Sequence, residues 1–204
     1  MRLTDRRGWQ VASYDHLKAW DATGRELAAH MRVKGREVSL EVAEAGATYP
    51  VTIDPMLRQE AKLTASDGAA SDLFGWSVAI SGNTAIVGAE GRGIAYVFVR
   101  DGATWGEQAQ LSVPGSFIGD TVAISGNTAI CGARVDDESR GAAYIFVRNG
   151  SNWSQEAKLI ASDRLVDDNF GSSVAISGET AVIGAPAKDS REGSVYVFTR
   201  SGGT

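Results

Sequence analysis

Along the chain the dominant pattern is an apolar run, a polar reversal and a second apolar run, GWSVAISGNTAIVG, from Gly75 to Gly88. It returns as GDTVAISGNTAICG from Gly119 to Gly132 and as GSSVAISGETAVIG from Gly171 to Gly184. Short apolar runs flanking Ser-Gly-Asn-Thr or Ser-Gly-Glu-Thr predict two antiparallel strands, with the turn residues supplying the angles of a tight reversal. A third strand is predicted at Tyr96-Val97-Phe98, Tyr144-Ile145-Phe146 and Tyr196-Val197-Phe198. Asp101-Gly102 and Asn149-Gly150 then turn the chain into a fourth strand near Trp105 and Trp153, and Ser201-Gly202 is a weaker turn of the same kind.

Upstream of each copy lies QEAKL or EQAQL, ending at Leu63, Leu111 and Leu159, and its alanine (Ala61, Ala109, Ala157) recurs every 48 residues. Four short strands per unit of about 40–50 residues describe a β-propeller blade. A β-sandwich also has short strands with regular turns, but the fixed repeat argues for the propeller.

Residues 1–57 belong to no repeat. Leu17–Trp20 is a candidate strand. Leu27, Ala29, Met31 and Val33 alternate with polar or small residues, and Val38, Leu40 and Val42 do so after a Lys34-Gly35-Arg36 turn. Alternation of this kind predicts half-exposed antiparallel strands. Tyr49–Ile53 is a last short strand, and Met1–His16 is left unassigned. The segment resembles the tail of a small β-domain, and its abrupt start predicts that the first strands of that domain are missing.

Phe74-Gly75 followed by Gly88-Ala89, Ile118-Gly119 by Gly132-Ala133-Arg134, and Phe170-Gly171 by Gly184-Ala185-Pro186 give the units a family resemblance. They resemble FG-GAP repeats, the blade sequence of integrin α-chain heads and of many bacterial and archaeal surface proteins. The third copy is complete, the first has Glu90 in place of the proline, and the second is degenerate. The resemblance covers residues 58–204 and implies a propeller of extracellular or cell-surface type, with a role in adhesion or protein binding. The calcium loop of integrin-like repeats is not matched, because its position holds only the short Ser-Gly turns.

Charge adds a direction to the loops. Residues 1–57 hold eight basic and eight acidic groups, so the net charge of −5 falls on residues 58–204. In an up-down meander the tight turns share one face, and the variable entry and second-to-third strand loops share the other. Candidate ligand-binding residues on that second face are Asp67, Asp72, Trp76, Glu90, Asp136, Asp137, Glu138, Asp163, Asp167, Asp168 and Asp189. Variable loops on a rigid scaffold are where binding usually resides. An acidic array repels phosphate backbones, which argues against nucleic acid.

No cofactor or metal site is expected. Asp163, Asp167 and Asp168, or Asp136, Asp137 and Glu138, would gather surface calcium only weakly, since calcium needs six to eight oxygens. The only histidines, His16 and His30, lie outside the repeats, and no G-x-S-x-G elbow or phosphate loop is present. No catalytic residue is assigned. Ser77, Thr121 and Ser173 share one repeat position and read as packing residues. Cys131 aligns with Val87 and Ile183 and reads as a buried hydrophobe. Trp105 and Trp153 are expected between blades, Trp76 has no repeat counterpart, and Arg100, Arg148 and Arg200 read as solvated edge charges. No run of apolar residues approaches the ~20 of a membrane helix, and Met1–Gln10 carries no signal-peptide pattern.

The expected fold is therefore all-β: a partial β-propeller of about three four-stranded blades over residues 58–204, the last lacking its fourth strand, preceded by a small β-rich segment over residues 1–57. The expected role is a non-catalytic module of a secreted or cell-surface protein, contacting protein or glycan through its acidic loops. The alternatives are a structural spacer and a propeller lyase or hydrolase. Three blades are fewer than the four to eight that close a ring. The open edges therefore predict either a fragment of a longer propeller, which the abrupt start and the stop beside the third tryptophan position favour, or self-association by strand exchange, with no membrane insertion.

Overall fold

The computed structural model describes residues 2–4, 10–13, 18–34, 37–54 and 60–200, with side chains over 18–30, 41–51 and 60–200. The expected turns at Gly35-Arg36 and Ser201-Gly202, as well as His16, lie outside the described residues. The chain divides into two units, residues 1–59 and 60–204.

In the first unit the strands are β1 (Arg2–Thr4), β2 (Gln10–Ser13), β3 (Lys18–Trp20), β4 (Glu26–Leu27), β5 (Ala29–Lys34), β6 (Glu37–Val42) and β7 (Thr52–Asp54). β1 pairs with β2, β5 with β6, and β3 lies between β4 and β7, all antiparallel. Two strands thus come from the stretch that periodicity left unassigned. The alternation from Leu27 to Val33 is split at Ala28, whose carbonyl accepts the Ala43 N–H. The reversal after β3 is closed by Asp21, whose buried carboxylate accepts the Thr23 hydroxyl and the N–H groups of Thr23 and Arg25. These bonds, that of the Thr23 hydroxyl foremost, hold the carboxyl down at about 2.

The second unit carries the repeats. Blade 1 comprises β8 (Phe74–Ser81), β9 (Thr84–Ala89), β10 (Ile94–Asp101) and β11 (Thr104–Leu111). Blade 2 comprises β12 (Thr121–Ser125), β13 (Thr128–Ala133), β14 (Ala142–Asn149) and β15 (Asn152–Leu159). Blade 3 comprises β16 (Ser173–Ser177), β17 (Thr180–Ala185) and β18 (Ser194–Thr199). Each sheet is an antiparallel meander in chain order. The fourth strands contain the Glu-Gln-Ala-Gln-Leu and Gln-Glu-Ala-Lys-Leu segments: Ala95 pairs with Leu111, and Ala143 with Leu159. A bulge after Val97 and Ile145 skips Gln108 and Glu156. It aims Gln108 at the neighbouring blade, where its Oε1 accepts Trp153 Nε1–H at 3.0 Å.

The inner strands carry near-continuous apolar runs such as Val78-Ala79-Ile80, Ala85-Ile86-Val87 and Tyr96-Val97-Phe98, so each sheet has two oily faces, and the blades bury them by stacking. Ile86, Val97 and Leu111 of blade 1 meet Val122, Ile124 and Cys131 of blade 2 in one core. Ile130 and Ile145 of blade 2 meet Phe170, Ala181 and Ile183 of blade 3 in the next. Burying a Val or Ile side chain contributes about 1.5–3 kcal/mol. The first strands β8, β12 and β16 lie against one another while β11 and β15 barely touch, so the blades fan outward from a common inner edge. Cys131 is fully buried, as its alignment with Val87 and Ile183 anticipated, and burial pushes its thiol up to about 12.

The spacing between blades is fixed by glycine. A Cβ on Gly88 would stand 2.0 Å from the Gly119 carbonyl oxygen, and one on Gly132 would stand 2.0 Å from that of Gly171. Gly119 and Gly171 have φ of 98° and 94°, and their own Cβ atoms would meet the carbonyls of Ile94 and Ala142 at 2.2 Å. Serine hydroxyls add cross-blade bonds: Ser77 Oγ accepts Val122 N–H at 3.0 Å, Ser81 Oγ accepts Gly126 N–H at 3.0 Å, and Ser125 Oγ accepts Gly178 N–H at 3.1 Å.

Gly132→Ala is expected to destabilise the repeat unit by about 2 kcal/mol or more in chemical denaturation, because backbone rather than a mobile side chain blocks the new methyl. Gly106→Ala, in β11 with open space around it, is expected to change stability by less than about 0.5 kcal/mol.

Candidate functional site

The entry loops and the second-to-third strand loops converge at one end of each blade, and a polar latch underlies each pair. In blade 1, Arg92 donates to Asp67 at 2.7 Å and to the Tyr96 hydroxyl at 3.1 Å, and that hydroxyl donates to Asp67 at 2.9 Å. Asp72 accepts Ala69 N–H at 2.7 Å and lies 3.7 Å from Arg92. In blade 3, Lys188 Nζ lies 3.4 Å from Asp168, 3.6 Å from Asp163 and 3.6 Å from Asp189, and Tyr196 donates to Asp163 at 2.7 Å. Blade 2 builds the same latch with the charges exchanged. Asp136 stands at the repeat position of Lys188, three residues past the Gly-Ala pair. It accepts from Ser116 at 2.7 Å and from Tyr144 at 2.6 Å, with Lys158 3.5 Å away.

The electrostatics follow from these contacts. The tyrosine hydroxyls, more than the cations, hold Asp67 and Asp163 below the usual carboxylate range. Burial first, and the adjoining carboxylate second, push Tyr96 and Tyr196 up to about 12. Burial works to lower Lys188, but its three carboxylates outweigh that and leave it raised.

Loops of neighbouring blades are also joined to each other. The blade 2 loop runs through three left-handed residues, Asp137, Glu138 and Ser139, at φ of 52°, 55° and 59°. Their carbonyls take up the next entry loop: Asp167 N–H donates to Glu138 and Asn169 N–H donates to Ser139, at 3.3 and 2.8 Å. Phe170 and Gly141 then form a parallel bridge, and Arg164 reaches Asp137 at 3.0 Å. Between blades 1 and 2, Ile118 N–H donates to the Gly93 carbonyl at 3.1 Å. Here the loops enclose a cleft of about 170 Å³ lined by Glu90, Phe117, Asp120, Arg134 and Val135. At its edge Trp76 donates its indole N–H to Asp120 at 3.2 Å, and Arg134 pairs with the same carboxylate.

The expected acidic face is therefore sorted by depth. Asp136 and Asp168 are buried, contrary to the expectation of solvent-facing loop charges, because the latches need a carboxylate beneath the loops. Asp72 is turned inward by its bond to Ala69, and Glu90 faces Arg134 across the cleft at 3.9 Å. Asp67, Asp137, Glu138, Asp163, Asp167 and Asp189 stay accessible, and Trp76 is 59% exposed. Among the described residues no group of three His, Cys, Asp or Glu side chains is arranged to hold a metal ion.

Sequence reasoning missed Arg134, Phe117 and Val135. Only their side-by-side placement by two adjacent blades reveals them. The recurring arginines are also pinned rather than solvated. Arg100 and Arg148 bond Asn83 and Asn127 and lie 5.8 and 5.7 Å over the Trp105 and Trp153 rings, while Arg200 pairs with Glu179 and Glu156. Their exact recurrence at the end of each third strand was the available signal.

Four-stranded antiparallel meanders stacked face to face around a line of first strands are blades of the β-propeller class. The FG-GAP repeat family matches over residues 57–98, 105–146 and 153–198, so this chain belongs to the FG-GAP repeat family. No curated protein matches the chain. Among solved structures it is similar to Sqt1 of Saccharomyces cerevisiae, at 11% identity and a TM-score of 0.45. That similarity covers 65% of this chain, and the chain spans 33% of the Sqt1 structure's length.

The latches give a pH signature. Tyr96 and Tyr196 have folded values above the ordinary 10, so the stability they contribute is complete below pH 10 and is lost as pH rises through about 12. In a tyrosinate absorbance titration, the step near pH 12 is expected to disappear in the Tyr96→Phe/Tyr196→Phe double variant.

Proposed function

We propose that this chain is a non-catalytic binding module of a secreted or cell-surface protein, contacting a protein or glycan with its loop face. FG-GAP repeats generally serve binding or scaffolding and typically occur in extracellular proteins. Among the described residues no helix is long and apolar enough to cross a membrane. The observation that carries the reading is the pairing of rigid loops with exposed contact residues. The latches and the cross-blade backbone bonds hold the loops from beneath. Trp76, Phe117, Val135, Leu165 and Val166 stand exposed beside the accessible carboxylates. Loops already ordered before contact lose little entropy on binding, and an aromatic beside charged groups is the usual composition of a binding hot spot.

The accessible candidate ligand residues are Trp76, Asp67, Asp137, Glu138, Asp163, Asp167 and Asp189, and the reading requires no cofactor. The repeat unit holds no histidine, and the latch carboxylates are paired with cations or tyrosines, which supports a role without acid–base chemistry. The same internal pairing favours a second reading, a spacer with no ligand on this face.

A glycan array and a pull-down from cell-surface protein, each with the chain as bait, separate the two. The binding reading expects a retained ligand whose affinity falls at least tenfold in Trp76→Ala and in Asp137→Ala/Glu138→Ala, with unchanged circular dichroism. No retained ligand, or one indifferent to both variants, supports the spacer and overturns the binding face.

A further inference from the structure

The sequence repeat and the folded sheet are out of step by one strand. The three family repeats begin at residues 57, 105 and 153, yet β11 and β15, which open the second and third, complete the sheets of the repeats before them. The corresponding opening strand of the first repeat, Glu60–Leu63, joins no sheet among the described residues. Conversely, β18 has no fourth strand beside it among the described residues.

We propose that two copies of this chain join head to tail, with segment 60–63 of each pairing as the fourth strand on β18 of the other. Blade 1 of each copy would then stack on blade 3 of the other, giving six blades in a closed ring, within the four to eight that propellers use. This inference is independent of what the loop face binds.

Segment 60–63 already sits correctly for the role. Arg100 of blade 1 pairs with Glu60 as Arg200 of blade 3 pairs with Glu156 of β15. Leu63 and Ala65 pack on blade 1 beside Tyr96 and Phe98. Toward blade 1, the segment thus occupies the place that a preceding blade's fourth strand occupies toward the next blade. Adding it to β18 places the blades in the register they use inside the chain.

That register is explicit. Ala143, Tyr144 and Ile145 face Leu159, Lys158 and Ala157, so Val195, Tyr196 and Val197 would face Leu63, Lys62 and Ala61 of the second copy. Lys62 would then lie near the Tyr196 ring as Lys158 lies 5.3 Å from that of Tyr144.

The two open faces match the two closed junctions point by point. Val78 and Ile80 on blade 1 are 67% and 64% exposed, whereas Val122 and Ile124 at the same repeat positions are 5% and 7% exposed. On blade 3, Val195 and Val197 are 67% and 66% exposed, whereas Ala143 and Ile145 are 0% and 7% exposed. Gly75, with φ of 93°, has nothing within 4 Å of a Cβ, and a Cβ on Gly184 would meet only its own blade's Ser173. Their counterparts are the glycine pairs that set the blade spacing. The Ser173 and Ser177 hydroxyls stand where Ser77 and Ser81 stand, ready for the N–H groups of Val78 and Gly82.

A cavity of about 310 Å³ between blades 2 and 3, lined in part by Ile145, Glu156, Ala157, Ile176 and Phe198, marks the remaining gap. One junction earlier, Trp153 of the fourth strand crosses to Gln108 at the equivalent place.

The test combines mass and cross-linking on the 204-residue chain. Light scattering at tens of micromolar is expected to give a discrete species of twice the 21.5 kDa chain mass. Under mild oxidation, Ala61→Cys mixed with Val197→Cys is expected to give a disulfide-linked pair, while each variant alone gives none. Val197→Asp is expected to weaken association at least tenfold with circular dichroism unchanged, since Val197 is exposed in the single chain. A folded monomer at about 100 µM, a polydisperse mass, or a native pair insensitive to Val197→Asp and without the mixed disulfide would overturn the proposal. The monomer outcome would assign the open faces to blades of another polypeptide or of a longer chain.

Discussion

Backbone meets backbone where neighbouring blades touch, and the rest of the repeat unit depends on that contact. Gly88 and Gly132 bring β9 and β13 against the carbonyls of Gly119 and Gly171 without an intervening side chain. At this separation the apolar residues of facing sheets interlock, with Val122 and Ile124 entering the core lined by Ile86 and Val97. The fixed separation also lets serine hydroxyls reach the next blade's N–H groups and brings each entry loop onto the preceding blade's loop. A methyl group at either glycine would push β9 or β13 away from the residues that lead into the next blade's first strand. It would weaken the apolar core, the serine bonds and the loop contacts together, because all three share one spacing.

The one-strand offset between repeat and sheet turns this stacking into a chain of interdependent units. Each repeat carries the strand that finishes the sheet before it, so the sheets of blades 1 and 2 each contain strands from two repeats. Pulling one repeat away would therefore break a sheet as well as a stacked face. The arginines at the ends of the third strands strengthen the same coupling. Arg148 bonds Asn127 in its own turn and Thr84 in the preceding blade, at 2.7 and 3.1 Å. A charge that reads from sequence as a solvated edge group is thus held between two turns.

Much of the fold was legible because its determinants are local. The Ser-Gly turns, the apolar runs and the 48-residue spacing placed each strand of blades 1 and 2, along with the burial of Cys131, although the third strands run longer (Ile94–Asp101 and Ala142–Asn149) than the three apolar residues that marked them. In the first unit β1 and β2 were not legible, since their short strands carry no alternation. At the loop face, sequence supplied the acidic residues but not their depth. Whether Asp136 faces solvent depends on Ser116, 20 positions before it, and on Lys158, 22 positions after it. Counting charges along the chain cannot register such a contact. The cleft around Arg134 was hidden for the same reason, because Phe117 and Glu90 come from different blades.

The three latches suggest how such an array can vary its loops without losing its frame. Each needs a tyrosine hydroxyl from the third strand, a carboxylate and a cation, but the repeat does not dictate which loop supplies which. Blade 3 takes its acids from the entry loop and its lysine from the loop after β17, whereas blade 2 takes its acid from the equivalent loop and its lysine from β15. A buried carboxylate left without partners costs several kcal/mol, so a loop that gains or loses one must be matched across the latch. Once that match is made, the tips above it are free of the requirement. Glu138 stands on a latched loop with its carboxylate on Arg140, and its side chain can change without disturbing Asp136, whereas Asp189 belongs to the Lys188 latch itself. The polar chemistry that appears in the sequence as a single acidic face thus serves two layers with different constraints, a lower one that holds the loops and an upper one free to meet a partner.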